Sequence, residues 1–204
     1  MSVVLEELVL AQGLFLIGIL DEWISLPNLS RLVLQGKLEI DDLGSTPTPV
    51  FIPRNTPNLV NLALDETNLE YRGFNHYFSR IFNQITTLAI RDFDGDGSAS
   101  ALKSLDKLRN LQHLSLDTIR STKQVLLKLR GRNLQSLHLS SRMVKNKPKL
   151  TGLLDDIAAG KVRGLRIERV IIYGPKASSV ERNQDGIEWR EDQSRPPFED
   201  FDGR

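Results

Sequence analysis

The chain has 204 residues, 40% of them hydrophobic, which is enough for one folded domain with a sizeable core. It contains no cysteine, which excludes disulfide bonds and thiolate metal sites and favours a reducing compartment, cytoplasmic or nuclear. The net charge of +1 excludes neither acidic nor basic partners, because it hides a steep gradient along the chain.

Residues 1–70 carry ten acidic and three basic side chains, whereas residues 120–173 carry thirteen basic and three acidic ones. Residues 174–204 return to an acidic balance, with eight acidic and five basic side chains. If sequence order is laid out in space, the basic end steers an acidic partner toward it. The plain alternative is that these charges lie on solvated faces.

A short phrase, Leu-x-x-Leu-x-Leu, occurs seven times at intervals of 23 to 30 residues. Its two inner positions are two residues apart, so in a strand both side chains point to one face. Strands formed by successive copies of the phrase, placed side by side about 4.8 Å apart, form a parallel sheet with a continuous apolar core. The pattern predicts an α/β solenoid with a curved parallel sheet of about seven strands, and helices and loops on the convex side. The inner pairs are Leu8/Leu10, Leu32/Leu34, Leu62/Leu64, Leu88/Ile90, Leu114/Leu116, Leu137/Leu139 and Leu165/Ile167.

The segments between strands must return the chain to the same edge. The first contains an apolar stretch, residues 14–20, which follows acidic residues and therefore predicts a buried helix instead of a signal peptide. It is also too short to span a membrane, and we expect no membrane partner. The second, residues 44–55, contains three prolines and predicts an irregular loop.

Three later segments predict helices. Residues 121–130 open with a Ser-x-x-Gln capping box, residues 148–159 begin beside a proline, and both stop at a glycine. Residues 72–84 have the spacing of an amphipathic helix, with apolar side chains at Phe74, Tyr77, Phe78 and Ile81. A recurrent asparagine predicts a turn entering the strands, at Asn28, Asn58, Asn110 and Asn133.

Residues 92–97 copy the first six positions of a calcium-binding loop. The acid required at position twelve is replaced by Lys103, and a strand instead of a helix precedes the loop. A loop that ends the fourth strand and caps a helix from Ser98 explains these residues better. We expect no metal and no cofactor.

The repeats resemble the long, helix-bearing class of leucine-rich repeats of ribonuclease-inhibitor-like and F-box-associated proteins. We assign residues 1–173 to a leucine-rich-repeat domain, and residues 174–204, charged and without apolar periodicity, to a disordered tail. The resemblance implies a non-catalytic protein recognition module, similar to the substrate-binding repeats of F-box/leucine-rich-repeat ubiquitin-ligase receptors. Because the first repeat begins at Leu5, a Skp1-type adaptor would attach through a missing or a separate F-box.

Side chains that flank the inner leucines point to the opposite face of the sheet, and we predict that this concave face binds a protein partner. Its central column passes from small and apolar to polar and basic, without a large aromatic anchor. The predicted binding residues are Arg31, Val33, Gln35, Asn61, Ala63, Asp65, Thr87, Ala89, Arg91, His113, Ser115, Asp117, Ser136, His138, Ser140 and Arg166.

Serine, histidine and aspartate meet on this face, because the repeat places Ser136 beside His113 and Ser115 beside His138. Nucleophilic catalysis would also need an oxyanion hole, and the amides of a sheet are committed to its ladder. Polar binding contacts explain the patch better, and we do not expect an enzyme.

A second hypothesis is a scaffold or regulator that binds an acidic protein through the basic C-terminal repeats. RNA-binding modules usually interleave stacking aromatic residues with basic ones, and residues 120–169 contain no aromatic residue of the Phe, Trp or Tyr type. The second hypothesis therefore favours protein over nucleic acid.

Overall fold

The computed structural model describes residues 5–10, 25–35, 53–65, 78–91, 105–117, 126, 128–129, 131–141, 152, 154–156, 159, 161, 164–174 and 187–190. Eight strands lie in these ranges: β1 (Glu7–Leu10), β2 (Arg31–Gln35), β3 (Asn61–Asp65), β4 (Thr87–Arg91), β5 (His113–Asp117), β6 (Arg132–Ser140), β7 (Leu165–Tyr173) and β8 (Ile187–Arg190). A short 3-10 helix, Leu105–Lys107, precedes β5.

The chain divides into two compact units. The first comprises Met1–Thr86 and Phe93–Asn110 and contains β1 to β3. The second comprises Thr87–Asp92 and Leu111–Arg204 and contains β4 to β8. Within each unit the strands are parallel and follow one another in chain order. A parallel neighbour requires a return segment after every strand, which is what the 23- to 30-residue spacing predicted.

The repeated phrase sets the register between strands. In the first unit Leu8 pairs with Leu32 and Leu32 with Leu62. In the second, Leu88 pairs with Leu114 and Leu114 with Leu137. The inner side chains from Leu10 to Leu139 are buried, so the predicted core positions of the first six strands are confirmed apart from half-buried Leu8.

The turns before the strands are tied together by side-chain amides. Asn58 Nδ2 donates to the Pro27 carbonyl at 2.7 Å, and Gln84 Nε2 donates to the Thr56 carbonyl at 2.9 Å. Asn110 Nδ2 likewise donates to the carbonyl of Asn83. Each bond reaches from one repeat to the turn of the preceding repeat, so these amides fix the lateral stacking as well as the turn itself.

The backbone repeats the same contact in both units. The carbonyl of Glu6 accepts from the amides of Ser30 and Arg31, and the carbonyl of Ser30 accepts from the amides that enter β3. In the second unit the carbonyl of Gln112 accepts from the amides of Gln135 and Ser136. In these three cases one carbonyl that precedes a strand accepts two amides of the neighbouring repeat, and this contact aligns the two strands where their ladder begins.

The predicted register of the seventh strand is wrong. The structure pairs Leu137 with Val170 and Leu139 with Ile172, whereas the repeat count had assigned Leu165 and Ile167 to those positions. The true phrase is therefore Ile167-x-x-Val170-x-Ile172, five residues further along the chain. The strand pair β6–β7 is long, because it begins at Arg132 and Leu165 and continues to the ends of both strands.

Two glycines explain this register. Gly131 and Gly164 both have φ of +80° and directly precede β6 and β7, at equivalent positions of the two repeats. The amide of Gly131 donates to the carbonyl of Gly164. A Cβ on Gly164 would lie 3.2 Å from the Gly131 nitrogen, so both the left-handed turn and the close approach require glycine there.

A further strand lies in the segment that was assigned to a disordered tail. β8 pairs in parallel with β7, from Val170 opposite Ile187 to Tyr173 opposite Arg190. For these four residues the expectation of disorder is wrong, because Ile187 and Trp189 extend the inner positions by one more strand. The rest of residues 175–204 lies outside the described residues.

The return segments are described only in part. Phe78 and Ile81 are fully buried, as an amphipathic pattern requires. Phe78 is helical, but residues 79–84 form turns, so the predicted helix does not extend to residue 84. Leu126, Lys128 and residues 154–156 are helical and lie inside two of the predicted helices. The stretch 14–20, most of the loop 44–55 and the calcium-like residues 92–97 lie outside the described residues. In the described part of the chain, no helix has the length and apolar character needed to cross a bilayer.

Two isoleucines of β7 test the corrected register. Ile172 is 1% exposed, whereas Ile167 is half-buried. We expect Ile172→Ala to lower the free energy of unfolding by about 2–5 kcal/mol. The matched change Ile167→Ala should cost about 1 kcal/mol or less, because it removes less buried surface. Urea denaturation measures both, and a larger loss for Ile167→Ala would favour the register counted from the sequence.

Candidate functional site

The site is built from the side chains that flank the inner positions, which share one face of the sheet in each unit. In the second unit we call this the polar face, and it comprises Thr87, Ala89, Arg91, His113, Ser115, Asp117, Ser136, His138, Ser140, Arg169, Ile171, Tyr173, Glu188 and Arg190. In the first unit the corresponding residues are Arg31, Val33, Gln35, Asn61, Ala63 and Asp65.

The central column of the predicted binding face is buried in the structure. Val33 and Ala63 are each 3% exposed, and Ala89 is 1% exposed. Their counterpart Val9 is 48% exposed. Ser115 and His138 continue the buried column in the second unit. The prediction assumed that these side chains are accessible, and in this respect it is wrong: a short side chain between two flanking strands leaves little room for water.

The half-exposed residues of the first unit lie at the ends of the strands. Gln35, Asn61 and Asp65 are all partly exposed. Arg31 Nη1 lies 2.9 Å from Glu7 Oε1 on the neighbouring strand, with side-chain exposures of 17% and 45%. Since this ion pair is open to solvent, it contributes little to stability and leaves both side chains near the surface.

A chain of hydrogen bonds crosses the polar face from β5 to β7. His113 Nδ1 lies 2.8 Å from Ser136 Oγ, and the same hydroxyl lies 2.9 Å from His138 Nε2. His138 Nδ1 lies 2.9 Å from the Tyr173 hydroxyl, and the two rings stack with centroids 5.7 Å apart. The register produces this chain, because Ser136 pairs with His113 and Tyr173 lies one strand beyond His138.

The tautomer of His138 sets the direction of two of these hydrogen bonds. A neutral imidazole has one donor nitrogen and one acceptor nitrogen. If the Tyr173 hydroxyl donates to His138 Nδ1, then His138 Nε2 donates to Ser136. If His138 Nδ1 donates to Tyr173, then Ser136 donates to His138 Nε2. In both orders both ring nitrogens of His138 have a partner, which allows this buried side chain to remain in the core.

The pKa of His138 is lowered from an ordinary value of 6.5 to about 4, chiefly by burial and in addition by the neighbouring His113, Arg190 and Arg169. His138 is therefore neutral at physiological pH and a weak base. Its second nitrogen meets a phenol instead of the carboxylate that orients the base in a serine-protease triad. Ser136 is 7% exposed. This arrangement is suited to structure, since it holds three strands together through side chains.

Arg91 and Asp117 form a second polar contact on this face. Arg91 Nε lies 3.9 Å from Asp117 Oδ2, and the Asp117 side chain is 4% exposed. A buried carboxylate requires a compensating cation, and Arg91 on the neighbouring strand supplies it. Both residues belong to the predicted binding set, and the structure brings them together.

A cluster of three charged side chains lies on β7 and β8, which we call the arginine–glutamate cluster: Arg169, Glu188 and Arg190. Glu188 Oε2 accepts from Arg169 Nη2 at 2.6 Å and from Arg169 Nε at 2.9 Å. Glu188 Oε1 accepts from Arg190 Nε at 2.8 Å. The hydrogen bonds from Arg190 and then Arg169 lower the pKa of Glu188. Arg190 also lies over the Tyr173 ring, with 5.8 Å to its centroid.

Sequence reasoning missed five members of the polar face. Arg166 was predicted to lie beside His138, but it pairs with Asn133, and Ile171 takes the place beside His138. The missed residues are Arg169, Ile171, Tyr173, Glu188 and Arg190. The matching positions of Gly131 and Gly164 were the available signal for the three on β7, because they set the register directly. Tyr173 is a large aromatic side chain, but it is fully buried and packs against His138 instead of offering an exposed anchor.

In the described ranges no group of three or more His, Asp or Glu side chains lies close enough together to hold a metal ion. Comparisons of the chain with models of protein families, with curated proteins and with solved structures found no match.

The neutral state of His138 predicts a pH dependence of stability. Its folded pKa is below its unfolded pKa, so the unfolded chain binds more protons as the pH falls from 6.5 toward 4. This contribution to stability is complete above pH 6.5 and is progressively lost below it. At pH 5 the loss is at most about 2 kcal/mol.

Urea denaturation at about pH 7.5 and about pH 5 measures this loss. We expect His138→Gln to remove most of the difference between the two conditions. The control His113→Gln should keep most of it, because burial of His138 is the largest cause of the lowered pKa. An equal difference in all three chains would contradict the assignment to His138.

Proposed function

We propose that the chain is a non-catalytic protein recognition module built as a leucine-rich-repeat solenoid. The observation that supports this most is the register: successive parallel strands place equivalent side chains in rows, with leucine on one face and varied polar residues on the other. Such rows form an extended surface with many separate contact points, which suits a protein or peptide partner.

The half-exposed residues of the rows are the proposed contacts, and the buried ones support them. In the first unit these contacts are Gln35, Asn61 and Asp65. In the second unit they include His113, whose Nδ1 atom is hydrogen-bonded to the buried Ser136 hydroxyl. The buried hydrogen bonds fix the rotamers of surface side chains, which lowers the entropy lost on binding.

The resemblance to F-box/leucine-rich-repeat receptors suggests which partners the module binds. In that case the module holds the substrate of a ubiquitin ligase, and a Skp1-type adaptor attaches through an F-box outside the repeats. The compartment is then the cytoplasm or the nucleus.

The second candidate is a scaffold or regulator for an acidic protein. It is favoured by the excess of basic residues in 120–173 and by the half-exposed guanidinium groups of Arg169 and Arg190. Under this proposal the partner contacts the second unit and binding depends strongly on salt, because exposed charges are screened at high ionic strength.

Affinity capture with matched double variants tests the module. Gln35→Arg with Asn61→Arg places two long cations on half-exposed positions of the polar rows, and we expect it to abolish capture of specific partners while thermal stability stays nearly unchanged. The control, Ser79→Arg with Asn83→Arg, makes the same charge change at exposed positions of the turns and should capture normally. Val33 and Ala63 are unsuitable for this test, because a charge at either buried site would unfold the strand.

Capture at about 0.1 M and about 1 M salt separates the two candidates. Recovery of a Skp1-type adaptor and a cullin at both concentrations supports the ligase form. Release of acidic proteins at the higher concentration, without an adaptor, supports the second candidate. Equal capture by the double variant and its control would mean that the rows of the first unit are not the binding surface.

A further inference from the structure

β8 is attached to β7 by few and exposed contacts. All four of its residues are only half-buried, and its ladder covers four residues, against the much longer pairing of β6 with β7. The backbone contact at its end is the bond from the Gly174 amide to the Arg190 carbonyl at 3.0 Å. Short, half-exposed elements open at a small free-energy cost, so β8 belongs to the least stable part of this sheet.

The side-chain contacts of β8 are mainly electrostatic. The bond between Arg169 Nη2 and Glu188 Oε2 has side-chain exposures of 44% and 39%. Ion pairs this open to solvent contribute about 1 kcal/mol or less. The arginine–glutamate cluster therefore adds little to the stability of β8. Its main effect is on specificity, because it favours a strand with a carboxylate opposite Arg169.

The neighbouring strand, β7, is more deeply buried than β8 where the two strands pair. Val170 is 6% exposed, Ile171 2%, Ile172 1% and Tyr173 0% with β8 in place. Removing β8 would leave the backbone groups of β7 unpaired and expose part of these apolar side chains. An exposed edge of this kind recruits another strand. The edge of β7 can therefore pair with another strand, and its present occupant is weakly held.

The chemistry of the occupant follows from what stays on β7. Arg169 remains and can bind a carboxylate, whereas Arg190 leaves together with β8. The sequence segment that contains β7, residues 120–173, holds thirteen basic and three acidic side chains, and this charge balance also favours an acidic strand. The positions opposite Val170 and Ile172 take apolar side chains, as Ile187 and Trp189 show. The pattern that fits is an acidic residue between two large apolar ones.

We propose that the edge of β7 from Arg169 to Tyr173 is a docking site for an extended, acidic segment of a partner protein, and that β8 is an internal competitor for it. The partner segment adds a parallel strand, with its carboxylate bound by Arg169. This inference rests on the proposed recognition role and adds a site, a partner chemistry and an autoinhibitory contact to it.

A peptide with the chain's own sequence at residues 184–193, Gln-Asp-Gly-Ile-Glu-Trp-Arg-Glu-Asp-Gln, is the probe. Glu188→Lys in the full chain replaces the carboxylate by a cation beside Arg169 and should release β8. We expect this variant to bind the labelled peptide about tenfold more tightly than the unchanged chain, because the competitor is removed. The control Glu168→Lys makes the same charge change at an exposed position of β7 and should bind as weakly as the unchanged chain.

A charge reversal identifies the contact. The peptide with Lys at the position of Glu188 should bind poorly to the Glu188→Lys chain. It should bind well to a chain carrying Arg169→Glu alone, in which Glu188 of β8 is repelled and an acidic side chain lies on β7. Restored binding in this pair requires direct contact, whereas a general loss of stability would weaken both peptides alike.

The fluorescence of Trp189 reports whether β8 has been released. The chain has two tryptophans, so a Trp23→Phe background makes Trp189 the single reporter for acrylamide quenching. Unchanged quenching in the Glu188→Lys chain would overturn the competitor role. Increased quenching without peptide binding would overturn the docking site. A dimer with protected Trp189 would show that a second copy is the occupant and would overturn the partner assignment. These outcomes do not depend on the capture experiment, because its variants lie in the first unit.

Discussion

The lateral register between successive parallel strands is the constraint on which the rest of this structure depends. In a parallel sheet each strand is separated from its neighbour by a return segment, so no tight hairpin fixes the alignment. Here the alignment comes from contacts placed before the strands. Backbone carbonyls such as those of Glu6 and Ser30 each accept two amides, and the side-chain amides of Asn58 and Gln84 reach back to the preceding turn. The leucine core is buried because these contacts align it.

The same register determines the chemistry of the opposite face. Ser136 has an imidazole on each side because β5 and β6 are aligned at His113, and His138 reaches Tyr173 because β7 is aligned by Gly131 and Gly164. A shift of β7 by five residues would put Arg166 beside His138 and bring a charge toward a buried imidazole. The observed register instead places the uncharged side chain of Ile171 beside His138.

Burial divides the polar face into two parts with different roles. The hydrogen-bonded centre, from His113 to Tyr173, is paired internally, and burial lowers the pKa of its His138 so that this side chain is neutral near pH 7. The arginine–glutamate cluster at β7 and β8 is charged and half-exposed. The first part gives the sheet rigidity, while the second offers charge to the solvent. The proposed recognition role needs both parts, because exposed side chains bind well only when the scaffold beneath them is fixed.

The amino-acid sequence determined the strands, their parallel order and the inner leucine positions of the first six repeats, because a two-residue alternation at a fixed period allows few other ways to bury those side chains. It also indicated that Ser136 and His113 lie side by side, since both occupy the same position in successive copies of the repeated phrase. It did not determine the register of β7, the strand formed by Ile187 to Arg190, or the burial of Val33 and Ala63. These depend on contacts between distant residues: the Gly131–Gly164 approach, the pairing of Arg169 with Glu188, and the covering of a short side chain by strands on both sides. Periodicity measures spacing along one chain segment, and only the tertiary structure decides which segments meet and how closely.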